Sequence, residues 1–165
     1  MTYPEFVKNC KDFDVCKMLK KHCDKTQHYA IFMPHREKVQ TLGKKIVMGI
    51  NSHILRYNQH STHAEVAALE KLQSVLKIYF SDKSRKFDLY VIRISKNGYY
   101  GSSRPCYHCL VRLIKSGLNI RDVYYSTDDR TMVKEKFTLM LYSPLTHISS
   151  GYRRDKRPRR CKRFN

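Results

Sequence analysis

His63-Ala64-Glu65 and Pro105-Cys106-Tyr107-His108-Cys109 constrain this chain more than any other feature. They are far apart in sequence, yet together they offer one imidazole, two thiols and one carboxylate. That set can hold a zinc ion, leave one coordination position for water, and move that water's protons. A fold that uses it must bring both segments to one point.

Each half is weak alone. A His-x-Glu triplet on a helix is common, and Cys-x-x-Cys also serves as a redox pair or as half of a structural zinc site. No second Cys-x-x-Cys and no His-x₃₋₅-His follows to complete a ribbon or finger. Thr62-x-x-Glu65 is also a capping box, which makes a helix-start device the plain alternative for Glu65. The cysteines, taken alone, read equally as buried thiols. Their joint occurrence, in this order and with the proline, favours a metal site. His60 and His108 are spare imidazoles: His60 precedes the helix, and His108 lies off the face that the cysteines share.

The spacing places both segments at helix starts. Thr62 can cap a helix whose first turn holds His63, Ala64 and Glu65, and Val66, Ala67, Ala68, Leu69, Leu72, Val75 and Leu76 continue it at helical spacing. Pro105 suits the start of a second helix, with Cys106 and Cys109 one turn apart on one face and Gly117 at its end. Thiols at a helix N-terminus ionise more easily, which favours metal binding.

The remaining elements alternate. Residues 4–23 read as an amphipathic helix carrying Phe6, Val7, Cys10, Phe13, Cys16, Leu19 and Cys23 on its apolar face. Strands are expected at 29–33, 46–50, 89–94 and 123–125, with a fifth at 131–133 and a helix over 134–141. Residues 97–103 read as a Gly/Ser/Tyr-rich loop, and 143–151 as a linker. Strands alternating with helices imply a three-layer α/β/α domain with a mixed sheet of about five strands. The metal would sit where strand C-termini meet helix N-termini.

On these motifs the chain resembles the cytidine deaminase-like superfamily, in the branch that holds deoxycytidylate and tRNA adenosine deaminases. The likeness runs over about residues 25 to 133. It implies zinc (Zn²⁺) held by His63, Cys106 and Cys109, with Glu65 as proton shuttle rather than ligand. Val47-Met48-Gly49-Ile50-Asn51 resembles the family's strand ending in an asparagine that contacts the nucleoside. Asn51 and the Ala64 backbone N–H would then contact base or sugar. Arg104 stands before Pro105, where tRNA adenosine deaminases usually carry glutamate and polynucleotide cytidine deaminases serine. There is no tryptophan. These departures leave cytosine and adenine both open and suggest an outlying branch.

Charge is the second loud feature. The chain carries 33 Lys and Arg against 14 Asp and Glu, a net +19. Residues 152–165 contribute +7 of this through Arg153, Arg154, Lys156, Arg157, Arg159, Arg160, Lys162 and Arg163. Such a segment has little to bury and reads as a phosphate-binding tail, its plain alternative being a solvated or nuclear-targeting arm. The surplus elsewhere favours a polyanion partner, DNA or RNA. Tyr99 and Tyr100, in the loop before the second motif, are candidates to stack on unpaired bases.

At 165 residues the chain is expected to form one domain, 1–150, followed by the basic tail 151–165. No apolar run spans a membrane and no leader opens the chain. Six irregularly spaced cysteines do not form a secreted disulfide framework: Cys10, Cys16 and Cys23 read as core thiols and Cys161 as a tail thiol. A reducing intracellular setting, cytoplasm or nucleus, follows, with association with a nucleic-acid particle compatible. Three functions fit. One is a zinc-dependent hydrolytic deaminase acting on or bound to nucleic acid. The second is a deaminase of free CMP or dCMP, with Arg104 facing the nucleotide phosphate. The third is a catalytically silent zinc protein that binds or packages nucleic acid. The resemblance also extends homo-oligomer formation to this chain.

Overall fold

A computed structural model describes residues 26–35, 47–52, 62–79 and 85–149. The amphipathic segment 4–23, His60 and the tail 151–165 lie outside the described residues, as do Cys10, Cys16, Cys23 and Cys161.

The longest apolar stretches form the centre of a mixed sheet. In chain order the strands are β1 (Gln27–Pro34), β2 (Val47–Ile50), β3 (Lys86–Ile94), β4 (Tyr100–Gly101), β5 (Asn119–Ser126) and β6 (Met132–Lys136). The helices are α1 (Ala64–Tyr79), α2 (Tyr107–Lys115) and α3 (Phe137–Met140). The main strand order is β2-β1-β3-β5-β6, with β4 paired to the end of β3. Only β3 and β5 are parallel, and α2 lies in the crossover between them. The class is α/β as expected, with six strands rather than about five.

β3 is central because Phe87, Leu89 and Val91 are almost wholly buried on one face and Ile92 on the other. The first face packs Ala64, Ala68, Leu69 and Leu72 of α1, Leu110 and Leu113 of α2, and Phe137 and Met140 of α3 against Leu89, Val91, Val123 and Tyr125. The described helices therefore share one face. The second face carries a separate cluster around Ile31 and Ile92. Tyr90 and Tyr124 stack there, their centroids 4.5 Å apart.

Gly49 sets how closely α1 lies on β2. A Cβ at this position would come within 2.2 Å of Ala68 N and 2.3 Å of Ala64 O, which no side chain can do. Glycine in the strand opposite two alanines thus lets the helix backbone touch the sheet. This contact seats the start of α1, and with it His63 and Glu65.

Three boundaries differ from the sequence expectation. Thr62 forms a bridge with Ser52, and Ala67 N–H donates to His63 O, so α1 begins one residue later, with His63 at its cap position. The loop at 97–103 contains a tight hairpin: Ser95 N–H donates to Tyr99 O, Gly98 adopts φ +77°, and β4 returns along β3. The helix expected over 134–141 is only α3, because Lys134 and Lys136 continue β6 on exposed positions opposite Tyr124 and Asp122.

Candidate metal centre

Two helix starts meet at the site. α1 delivers His63 from its cap position and Glu65 on its first turn. α2 is capped by Cys106 in extended conformation (φ −77°, ψ 163°), which places Cys109 one turn on. His63 Nδ1 lies 3.3 Å from Cys109 Sγ and 3.6 Å from Cys106 Sγ. All three ligand atoms lie within 4.8 Å of one another. Zn–S and Zn–N bonds of about 2.3 and about 2.0 Å at tetrahedral angles put nitrogen and sulfur about 3.6 Å apart. The spacing and the donor set therefore fit zinc with one position left for another ligand. His108 stands outside this cluster, with its ring edge-on to Tyr107.

Both thiols are buried, and Val66 of α1 packs on them. A hydrogen bond from Cys109 holds the Cys106 thiol down at about 3, while the same contact and burial push the Cys109 thiol up. His63 is raised, chiefly by its hydrogen bond with Cys106. Glu65 is 5% exposed, and burial raises its carboxyl above the usual carboxylate range. A cation bound here would displace the Cys109 proton, Cys106 being ionised already, with Glu65 buried beside it.

Buried hydroxyls hold the loop that presents Cys106. Ser103 Oγ donates to Val91 O (2.7 Å) and lies 2.9 Å from Ser126 Oγ. Ser126 Oγ donates to Gly101 O (2.7 Å), and Ser126 N–H donates to Ser103 Oγ (2.8 Å). This ties residues 101–103 to the ends of β3 and β5. Sequence reasoning missed the pair, since the only signal was one serine at the end of an apolar strand and another in a loop.

Arg104 is 8% exposed, and its guanidinium forks Glu135. Nη2 meets Oε2 at 2.8 Å, Nε meets Oε1 at 3.3 Å, and Nη1 donates to Thr146 Oγ1 at 2.9 Å. Tyr125 O–H donates to Glu135 Oε1 at 2.6 Å. Burial, together with that carboxylate, pushes the Tyr125 phenol up to about 12. The arginine read as a phosphate contact thus joins α2 to β6 and to residue 146. Nothing in the sequence pairs residue 104 with residue 135.

The remaining candidates are spread around the centre. Asn51 extends the β1–β2 ladder: its N–H donates to His28 O, and its Oδ1 accepts from His28 N–H at 2.7 Å. Ala64 is fully buried at the start of α1. Tyr99 is 53% exposed beneath the Arg130 guanidinium, which lies 4.6 Å from the ring centroid. Tyr100 packs against the cluster on the second sheet face.

No family model matches this chain, and no curated protein matches it in sequence. Among solved structures it is similar to a crystal structure of cytidine deaminase from Burkholderia pseudomallei. The match has a TM-score of 0.53 at 15% identity and covers 88% of this chain and 99% of that one. The fold is cytidine deaminase-like. The residues that this chain brings together on it, His63, Cys106 and Cys109, can hold a metal. No described helix is long and apolar enough to cross a membrane.

Proposed function

We propose that this protein is a zinc-dependent hydrolytic nucleobase deaminase of the cytidine/deoxycytidylate type that acts on nucleic acid. The observation that carries the reading is the convergence of His63 Nδ1 and both thiols on one point beside the buried carboxyl of Glu65. A retired metal site has no use for that carboxyl, whose burial costs stability.

Bound zinc would supply a Lewis acid and bring the pKa of water to about 7. His63, Cys106 and Cys109 would hold it, and α1 and α2 fix their directions. Glu65 takes one proton from the attacking water and passes it to the ring nitrogen, then takes the second from the added hydroxyl and delivers it to the leaving amine. Oxygen adds at C4 of cytosine, or at C6 if the base is adenine, and ammonia departs. The charge of +19 supports a polynucleotide over a free nucleotide.

The test is to incubate zinc-loaded protein with CMP, dCMP, AMP, single-stranded DNA and single-stranded RNA. Deaminated bases are then quantified by mass spectrometry beside Glu65→Ala. The reading expects product from a polymer and none from the variant. Turnover of free nucleotides alone would move the assignment to a mononucleotide enzyme. No product at full zinc occupancy would move it to a binding or packaging protein.

A further inference from the structure

The segment after β6 lies beside the metal centre and carries an unusual row of side chains. Leu139, Tyr142, Leu145 and Ile148 are 66%, 84%, 66% and 43% exposed. They are spaced three residues apart, and tight turns build the first part of the segment. Tyr142 N–H donates to Leu139 O, Ser143 N–H to Met140 O, and Thr146 N–H to Ser143 O. The first of these bonds puts Leu139 and Tyr142 on the same side, and Leu145 and Ile148 are exposed further along the segment. Met140 goes the other way and is fully buried in the core.

Hydrogen bonds from Arg104 and from the cysteine helix hold this segment, including one from Arg104 to Met140 O (3.4 Å). Arg104 donates to Thr146 Oγ1 (2.9 Å), and Tyr107 N–H donates to His147 O (2.9 Å). Tyr107 follows the ligand Cys106 directly and is itself 43% exposed. The row therefore begins on α3 and ends beside His147, whose carbonyl meets the residue after Cys106. A few residues further on the chain enters its most basic stretch, 152–165, at +7.

We propose that Tyr107 and the row Tyr142–Leu145–Ile148 form a stacking surface for single-stranded nucleic acid at the rim of the metal centre. The proposal rests on the polynucleotide reading above and names where the strand lies. Exposed tyrosines offer π-faces to unpaired bases, and leucine and isoleucine between them suit base edges and sugars. Charge decides between occupants of an apolar surface. Two copies of a chain at +19 repel each other, whereas a phosphate backbone is attracted to it.

The test uses the full zinc-loaded chain and fluorescein-labelled oligothymidylate and oligouridylate, with binding read by anisotropy between about 50 and about 200 mM salt. Tyr142→Ala and Tyr107→Ala should each weaken binding about ten-fold at fixed salt without changing the salt slope. Tyr142→Phe should restore it, and Ile114→Ala, an exposed apolar change at the far end of α2, should leave it unaltered. Full affinity in both alanine variants, or a wild-type protein that binds neither strand, overturns the proposal. So does a dimer in sedimentation that Tyr142→Ala dissolves, since the row would then be a self-association face. Ring-dependent binding by a protein that deaminates nothing would sink the deaminase reading and leave this surface standing.

Discussion

Glu65 and Asp122 are both buried carboxylates, 5% and 0% exposed, and their surroundings are opposite. Asp122 meets Lys136 at 2.7 Å, Lys134 at 3.2 Å and Arg121 at 3.5 Å. Burial raises its carboxyl, but the two lysines outweigh burial and hold it below the ordinary range. Among the described residues no lysine or arginine pairs with Glu65; burial raises its carboxyl above the ordinary range, outweighing backbone hydrogen bonding and His63, which lower it. A buried charge therefore does not mark a site by itself. The group to suspect is one that the fold has left costly, because function is the remaining reason to keep it.

The largest effect expected is at the cluster itself. Cys106→Ala removes one of two thiol ligands and the cap residue of α2. It should abolish stoichiometric zinc, read by elemental analysis, and lower the melting temperature of the loaded protein. A variant that kept full zinc would remove Cys106 from the ligand set and with it the contrast drawn here.

Glu65→Gln is next and divides the two carboxylates most sharply. Zinc content should be unchanged, while turnover falls by about 10²- to 10⁴-fold, the range for a positioned acid–base group. Its stability should move the other way. A carboxyl raised above its unfolded value costs stability wherever the unfolded chain would ionise it, so the neutral amide should fold at least as well at pH 7. Lost activity together with lost stability would make Glu65 a structural cap, the capping-box alternative its sequence context offered.

How much of this was legible in the sequence follows from how local each interaction is. The cluster of His63, Cys106 and Cys109 was legible because these residues carry short-range signals: a helix start, a proline, a one-turn spacing. The strands were legible where apolar runs were long, as at 89–94. What failed to show was pairing across the fold. Lys134 and Lys136 read as helix because their amphipathic alternation depends on Tyr124 and Asp122 in β5, which only the sheet register supplies. Arg104 was offered to a nucleotide phosphate because its partner, Glu135, is brought to it only by β6. The row after α3 read as a linker because its polar composition hides a three-residue apolar spacing.

Arg104→Ala tests whether that cross-fold pair carries weight comparable to the centre. Glu135 is held below the ordinary carboxylate range chiefly by Arg104. Removing one partner of a largely buried pair costs about 3 to 5 kcal/mol, and chemical denaturation should read a loss near the lower end, since Glu135 is 23% exposed. Arg104→Ala with Glu135→Gln should recover part of it. Full recovery by Glu135→Gln would mean that the arginine serves mainly to neutralise Glu135 rather than to hold Thr146.

Asp122→Asn should have the smallest effect, because Lys134 and Lys136 are 51% and 49% exposed and return to water when the charge is lost. Partly solvated pairs of this kind contribute about 0.2 to 1 kcal/mol each. The carboxyl is lower in the folded state than in the unfolded chain, so its contribution is complete above about pH 4, the unfolded value. It disappears as pH falls through the lower, folded value. The stability gap between wild type and Asp122→Asn should therefore be constant from neutral pH down to about pH 5 and close below it, with turnover equal throughout. Both chains carry the same metal cluster, so acid loss of zinc cancels from that difference. A gap that instead widened toward acid, or a variant with impaired turnover, would mean that Asp122 is coupled to the centre and that the two carboxylates are not the separate cases their surroundings make them.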